Sequence, residues 1–434
     1  MIPAWRLLVA AGALLTVALA AAFDSSLAPA WRVAAILVLL AALGDAAVLW
    51  ARAMPAATRT APGSLPLGIW HRISLRLANP SARARKLEVF DHTPDAFEVR
   101  GMPRQLTLPP QGWAEVRYEA RPVARGLHSF GCIEVRVSSP LGLWQRRARL
   151  GEVSKSRVYP NFAALTRYAL LATDQRLSQI GILQRRRRGQ GLDFHQLREY
   201  REGDAQRQID WKATARIGRL VSREYQDERD QQIMFVIDCG GRLAARDGEL
   251  AHFDHVLNAA LLLAYVSLRQ GDAVGFLTMS GEPRFMAPRK GAAVITAMLN
   301  QLYDLQPSLM TSDYEAAALD LVRRVRKRAL VVVLSNLRDE DDDTLAPALQ
   351  LLTRHHLVLF ASLRENILSR ALTARVDTFE RALTHAAAAD YLRERRLALH
   401  RLERGGALCV DVEPQELPTA LVNRYLDIKR AGRL

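Results

Sequence analysis

The chain has 434 residues, 49% of them hydrophobic and 24% charged, with a formal net charge of +15. That length allows two or three domains, the apolar fraction excludes global disorder, and the excess of Lys and Arg asks for negatively charged partners: phospholipid headgroups, nucleic acid or an acidic protein face. Cys132, Cys239 and Cys409 stand singly, which excludes a CxxC zinc site and a disulfide framework and suits a reducing compartment.

Leu7 to Phe23 is an uninterrupted apolar run, and Val33 to Trp50 is a second, broken by Asp45. Each approaches the roughly 20 residues needed to cross a bilayer. Trp5, Trp31 and Trp50 stand at the run ends, where an indole favours the headgroup level. Residues 1–54 are therefore expected to form a transmembrane hairpin. A signal peptide followed by a core helix fits less well, because the second run follows almost at once. Arg6, Arg52 and Arg59 flank the outer ends, while the connector DSSLAPA holds no basic residue. The positive-inside rule then places both ends on the cytoplasmic side of the membrane. Asp45 is the oddity: near the interface, facing the partner helix, or a functional carboxylate.

Residues 55–160 change character. Short alternating segments (Trp70–Leu77, Lys86–Phe90, Ala114–Tyr118, Cys132–Val137) are separated by the turn clusters NPSAR, LPPQG and ARG. This spacing predicts an all-β sandwich.

Residues 161–229 form a charged linker, and Arg185 to Asp238 is the densest charged stretch of the chain. Gly203-Asp204 reads as a turn and N-cap before AQRQIDWKATAR, with Asp204 three residues before Arg207, the spacing of a helical pair. LVSREYQDE alternates as an edge strand would, and Ile233–Ile237 is its expected partner. Two readings stand. In one, the stretch is a structural clasp in which acids and bases satisfy each other and Ile209 and Trp211 serve as apolar anchors. In the other it is a docking surface for a partner, made of Asp193, Arg198, Glu199, Tyr200, Asp204, Arg207, Asp210, Trp211, Lys212, Arg216, Arg223 and Glu224. The run Arg185, Arg186, Arg187, Arg188 precedes Gly189 and Gly191. It suits contact with anionic lipid, at roughly 1 kcal/mol per basic residue, or a solvated loop. For nucleic acid no stacking array, helix-turn-helix or zinc finger accompanies it.

From residue 230 to 434, apolar strands alternate with amphipathic helices. Strands are expected at Ile233–Ile237, Ala273–Met279, Leu330–Leu334, Leu357–Leu363 and Leu408–Val412. Helices are expected at Phe253–Leu268, Lys290–Leu305, Tyr314–Lys327, Leu345–Thr353, about 380–403 and from Glu416. Such a pattern implies a parallel sheet covered on both faces, with ligands at the strands' carboxyl ends. Asp238, Ser335 and Asn336 stand at such ends. No HExxH, Walker A or GxSxG word is present.

The words RPVARGLHSFG, SSPLGLW, GLDFHQLREYREGDAQRQIDWKATAR and LVSREYQDE, in this order after two apolar runs, resemble the bacterial domain-of-unknown-function 58 family. The resemblance implies that residues 230–434 are a von Willebrand factor A-like (Rossmann-like) α/β domain, and that the protein works with a MoxR-type AAA+ ATPase. It also raises a metal question. The adhesion site of that fold uses Asp-x-Ser-x-Ser, a Thr and a second Asp around Mg²⁺, a hard cation served by oxygen ligands. Here the first word reads Asp238-Cys239-Gly240-Gly241-Arg242, the later loop offers Thr311 and Ser312, and Asn336 takes the acidic position. Asp238, Thr311 and Asn336 are thus a degenerate metal set, with Arg242 able to bring a positive charge in the ion's place, and no cofactor is expected. The leading expectation is a non-enzymatic, membrane-anchored adaptor for assembly or maturation of envelope proteins. The alternatives are a Mg²⁺-dependent hydrolase or adhesion module, and a membrane-tethered nucleic-acid binder.

Overall fold

The computed structural model describes residues 1–161, 193–201, 206–226, 231–338 and 342–433. The chain divides into two units, Met1–Tyr159 and Pro160–Leu434. Elements are numbered in chain order.

The first unit begins with helices α1 (Trp5–Phe23) and α2 (Ala28–Ala51), both long and apolar enough to cross a membrane. At 1.5 Å per residue α1 is about 28 Å long, close to a hydrocarbon thickness of ~30 Å. Leu8, Leu15 and Leu19 on α1 and Ile36, Leu37 and Leu40 on α2 are exposed, a continuous apolar surface of the kind that lipid covers.

Twelve strands surround and follow the helices. One antiparallel sheet joins β2 (Ala56–Thr60), β4 (His71–Ala78), β8 (Trp113–Pro122) and β6 (Phe97–Arg100). A second runs β1 (Ile2–Pro3), β11 (Trp144–Leu150), β10 (Ile133–Ser138), β5 (Arg85–Asp91) and β7 (Arg104–Leu108). A third joins β3 (Ser64–Pro66), β12 (Ser154–Tyr159) and β9 (Gly126–Phe130). The alternation that marked these strands buries Ile73, Leu75 and Leu77 from β4 and Leu87 and Val89 from β5. Across the sheets, Arg59 from β2 grips Asp91 from β5, and the buried Tyr118 hydroxyl donates to the same carboxylate at 2.5 Å. Burial and the Asp91 charge push the Tyr118 hydroxyl far above its ordinary titration range.

Asp45 has a structural partner in this unit. It is 4% exposed, and its carboxylate accepts from the Ser139 hydroxyl, from Leu141 N at 3.0 Å and from Leu143 N at 3.2 Å. The Trp144 indole donates to Ala42 O at 2.9 Å, and Ala4 N donates to Leu143 O at 2.8 Å. Asp45 therefore lies level with the residue before α1, where the SSPLGLW turn packs on the last turns of α2.

In the second unit β13 (Asp193–Glu199) and β14 (Val221–Gln226) form a two-stranded antiparallel sheet that carries α3 (Trp211–Ile217) between them. This corrects the expected pairing of LVSREYQDE with the first apolar strand. That strand, β15 (Gln232–Asp238), is central and lies between β18 (Ala273–Met279) and β20 (Leu330–Ser335). A strand buried on both faces takes apolar neighbours, which the charged alternation of β14 does not supply.

The six-stranded sheet runs β19 (Phe285–Arg289), β18, β15, β20, β21 (Leu357–Leu363), β22 (Leu408–Val412). All neighbours are parallel except β19, which returns antiparallel to β18 and was not anticipated. A short pair, β16 (Arg246–Asp247) and β17 (Leu250–Ala251), follows β15. Helices are α4 (His252–Arg269), α5 (Ala293–Leu302), α6 (Tyr314–Arg324), α7 (Asp342–Thr353), α8 (Asn366–Thr373), α9 (Phe379–Arg404) and α10 (Leu417–Arg430). Successive residues of β15 feed two cores. Ile233, Phe235 and Ile237 pack with Val256 of α4, Met298 of α5 and Leu421 of α10. Met234 and Val236 pack with Leu321 of α6, Leu349 of α7 and Leu402 of α9. Each such side chain contributes about 1.5–3 kcal/mol on burial. The chain leaves β15 towards β18 and β19 on one side and later fills β20, β21 and β22 on the other, so strand order reverses between β15 and β20.

Candidate functional site

The reversal point sets Asp238, the last residue of β15, beside Ser335, the last of β20. In open α/β sheets this crevice is where ligands bind. Asp238 is fully buried. Its Oδ2 accepts from the Ser335 hydroxyl at 2.5 Å and the Ser312 hydroxyl at 2.7 Å, and its Oδ1 accepts from Gly240 N at 2.8 Å. The Tyr314 hydroxyl is hydrogen-bonded to Ser335 Oγ at 2.8 Å. Arg242 lies alongside, its Nε 3.8 Å from Asp238 Oδ2, donating from Nη1 to Asn336 O at 2.9 Å and to the Tyr314 hydroxyl at 3.1 Å.

The candidate metal residues do not converge. Thr311 is exposed, and the hydroxyl that reaches Asp238 comes from its neighbour Ser312. Asn336 is buried and turned away: its amide donates to Glu365 Oε1 at 2.6 Å and its carbonyl accepts from Arg395 at 3.2 Å. A Cβ at Gly240, the first serine position of the adhesion word, would lie 3.0 Å from Asp238 Oδ1, Met310 O and Ser312 Oγ. Among the described residues no group of three His, Cys, Asp or Glu side chains is placed to hold an ion. Tight backbone, an arginine and a displaced Asn336 together do not fit a Mg²⁺ coordination shell.

Sequence reasoning missed a second arginine. Arg395 of α9 is 2% exposed and spans three strand ends. It donates to Asp411 Oδ1 at 2.8 and 3.1 Å, to Ser362 Oγ, Leu363 O and Leu337 O at 2.6 Å, and to Asn336. Its spacing held a signal, because Arg395, Ala398, Leu399 and Leu402 occupy one buried helix stripe. On the outer side of the same sheet end, Leu309 is 96% and Met310 66% exposed, an apolar tip next to the Gly240-Gly241 loop.

The second candidate surface is the β13–α3–β14 hairpin. Asp210 caps α3, accepting from Lys212 N and Ala213 N at 3.0 Å, and receives Arg223 Nε at 2.9 Å. The Ala213 and Lys212 amides with the Arg223 guanidinium hold its carboxyl below the usual range. Thr214 Oγ1 accepts from Val221 N at 3.1 Å, and Gly218 ends the helix at φ 72°, where a glycine is free of Cβ strain. Arg219 pairs with Glu199 at 3.1 Å, and Arg198 donates to Glu199 O. A rigid frame thus presents Trp211, which is 67% exposed, with Lys212 and Arg216 also exposed and Ile217 and Leu220 open to solvent nearby. Tyr200 is half-buried beside the frame and donates its amide to Leu220 O. Asp193 and Glu224 lie on the two strands and Arg207 on the turn Gln206–Gln208. Asp204 and Arg185–Arg188 lie outside the described residues.

Comparison with known proteins gives a family and partial likenesses. The model of the family described as "Protein of unknown function DUF58" matches residues 196–379. An uncharacterized protein, YeaD, of Bacillus subtilis (strain 168) is 23% identical over 193 residues, covering 43% of this chain and 44% of the relative. The match thus spans less than half of that relative's length. Among solved structures, an aerotolerance-related membrane protein from Bacteroides fragilis NCTC 9343 aligns at a TM-score of 0.32 and 13% identity, covering 46% of this chain and 99% of the other. A Salmonella alpha-2-macroglobulin aligns at a TM-score of 0.20 and 18% identity, covering 24% of this chain and 7% of the other. The resemblance carried by LREY, IDWKATAR and LVSREYQDE falls within the matched span: residues 196–379 match the model of the domain of unknown function 58.

Proposed function

We propose that this protein is a non-enzymatic, membrane-anchored adaptor whose β13–α3–β14 hairpin docks a partner protein, a MoxR-type AAA+ ATPase being the partner that the family resemblance names. In this reading α1 and α2 cross the membrane, the remainder lies in the cytoplasm, the all-β region is a sandwich following that helix pair, and the second unit is von Willebrand factor A-like. A parallel sheet with one antiparallel edge strand and a reversal beside Asp238 supports that last assignment. The chain carries no phosphate-loop word, so nucleotide-driven work is delivered by the ATPase.

The observation that carries the reading is the exposure of Trp211. A clasp would bury its indole over the sheet. Instead the ring stands 67% exposed on a helix fixed at both ends, flanked by the exposed cations Lys212 and Arg216. Large aromatic and arginine side chains on a rigid support are what dominate protein–protein binding energy, because little freedom remains to be lost on association. The basic surroundings select an acidic partner face and accelerate encounter. The non-enzymatic part is supported by Asp238, whose oxygens are both engaged by internal donors.

The test is a titration of the full chain in nanodiscs with a MoxR-type AAA+ ATPase of the same organism. Trp211→Ala should weaken binding by about 30-fold or more, the loss of a hot-spot side chain worth about 2 kcal/mol. Arg216→Glu should lower the association rate and flatten its dependence on salt. Unchanged affinity in Trp211→Ala rules the hairpin out as the dock.

A further inference from the structure

In metal-dependent relatives of the proposed fold a divalent cation balances the aspartate that ends the first strand. This chain keeps the aspartate and fails the coordination shell, and a wholly buried carboxylate still needs a positive charge close by. The nearest guanidinium is that of Arg242, four residues on, with Nε 3.8 Å from Asp238 Oδ2. We propose that Arg242 is the built-in counter-cation of Asp238 and holds the place of the divalent ion, so that this buried carboxylate has a permanent, metal-independent positive partner. The inference stands apart from the docking of a partner on the hairpin and survives if that reading fails.

Four features support it. Arg242 is anchored from both sides of the strand reversal: Nη1 donates to Asn336 O beyond β20 and to the Tyr314 hydroxyl of α6, and the guanidinium lies 5.7 Å from the Tyr314 ring centroid. Its side chain is 11% exposed, so it is part of the interior rather than a surface arginine that happens to lean in. A hard-oxygen set also remains, with the Ser312 and Ser335 hydroxyls on the same carboxylate oxygen at 2.7 and 2.5 Å. Such a set would accept a small divalent ion if the guanidinium were gone. Finally, the Gly240 backbone closes onto the carboxylate so tightly that a Cβ there would meet three oxygens at 3.0 Å. The loop has shut over the position from which a serine ligand would reach, and Arg242 occupies the other serine position of the word. An arginine does not deprotonate and does not dissociate, so neither pH in the physiological range nor chelation removes this charge.

The experiment uses the full chain in detergent micelles, with Mn²⁺ alone as the probe by electron paramagnetic resonance and Mg²⁺ in thermal melts. Wild type should immobilise no Mn²⁺ that Asp238→Asn abolishes, and its melting temperature should not move with Mg²⁺. Arg242→Ser should melt about 5 °C or more lower, from the stranded carboxylate. Mn²⁺ or Mg²⁺ should restore part of that loss, with one ion bound per chain and lost again when Asp238→Asn is added. The inference is overturned by wild-type Mn²⁺ binding that depends on Asp238, or by a folded Arg242→Ser that binds no more Mn²⁺ than wild type. If Arg242→Ser is not recovered folded, Arg242→Lys and Arg242→Gln decide. Lysine, which keeps the charge, should melt clearly above glutamine, and glutamine melting as high as lysine overturns the counter-cation role.

Discussion

Asp45→Ala is the substitution whose effect follows most directly from contacts in the first unit. The carboxylate receives three donors from the SSPLGLW turn: the Ser139 hydroxyl and the Leu141 and Leu143 amides. At 4% exposure little water replaces it, and each stranded donor costs about 1–3 kcal/mol. Taking the low end for a site at a unit's margin, the turn loses about 3 kcal/mol of its hold on α2. Asp45→Asn keeps one acceptor oxygen and sets an amide donor against donors, a loss of about 1–2 kcal/mol on the same scale. Hydrogen exchange of the full chain in nanodiscs reads this locally. Exchange at Leu141 and Leu143 should rise about 100-fold in Asp45→Ala, since 1.4 kcal/mol is a factor of ten, and by a lesser factor in Asp45→Asn. Buried amides of β15 in the second unit should be unaffected. Unchanged exchange at Leu141 and Leu143 in Asp45→Ala would refute the assignment of Asp45 as the acceptor that seats the turn on α2.

Other outcomes follow from the second unit. Arg395→Leu strands the Asp411 carboxylate and several strand-end oxygens. A broken buried pair costs about 3–5 kcal/mol, so the thermal transition of this unit should fall by about 10 °C; a drop under about 3 °C would contradict the role assigned to Arg395. Burial and the nearby Glu403 push the Cys409 thiol up to about 12, so at pH 8 its thiolate fraction is roughly a thousandfold below that of an ordinary cysteine. Mass spectrometry after iodoacetamide should find Cys409 unmodified in the folded chain, and modification at a free-thiol rate would contradict this. Burial also lowers the titration of His255 and His356, the latter helped by His355 and Arg328. The folded form then refuses a proton that the unfolded chain takes below pH ~6.5, so this stability is complete above that value and declines as pH falls through it. Melting temperature should drop from pH 7.5 to 5.5, and His356→Leu should shallow the slope; an unchanged slope in that variant argues against His356.

The sequence was most legible where one physical force acts alone. Ala273–Met279, Leu357–Leu363 and Leu408–Val412 are strands over the expected residues, because an apolar run between amphipathic helices has one place to go. β19 escaped because Phe285–Arg289 holds Pro288 and lies between Arg284 and Lys290, the mark of an edge strand rather than of a core one. The partner of LVSREYQDE was misjudged because pairing depends on which neighbours the central strand already has, which no local pattern records. At the site, Asp238 was legible from its position at a strand end. That Ser312 rather than Thr311 reaches it depends on the turn after Ser308, which donates to Cys239 O. Arg395 sits among the arginines of RERRLALHR, and its buried-stripe spacing was the single cue that set it apart.

The central claim is that Trp211 meets another protein. A photo-cross-linking amino acid placed at position 211 of the full chain, irradiated in cells and followed by mass spectrometry, tests it directly. The account predicts a cross-link to a MoxR-type AAA+ ATPase, weakened by Arg216→Glu. Cross-links confined to this chain's own β15–β22 sheet and its helices, or to lipid, would contradict it.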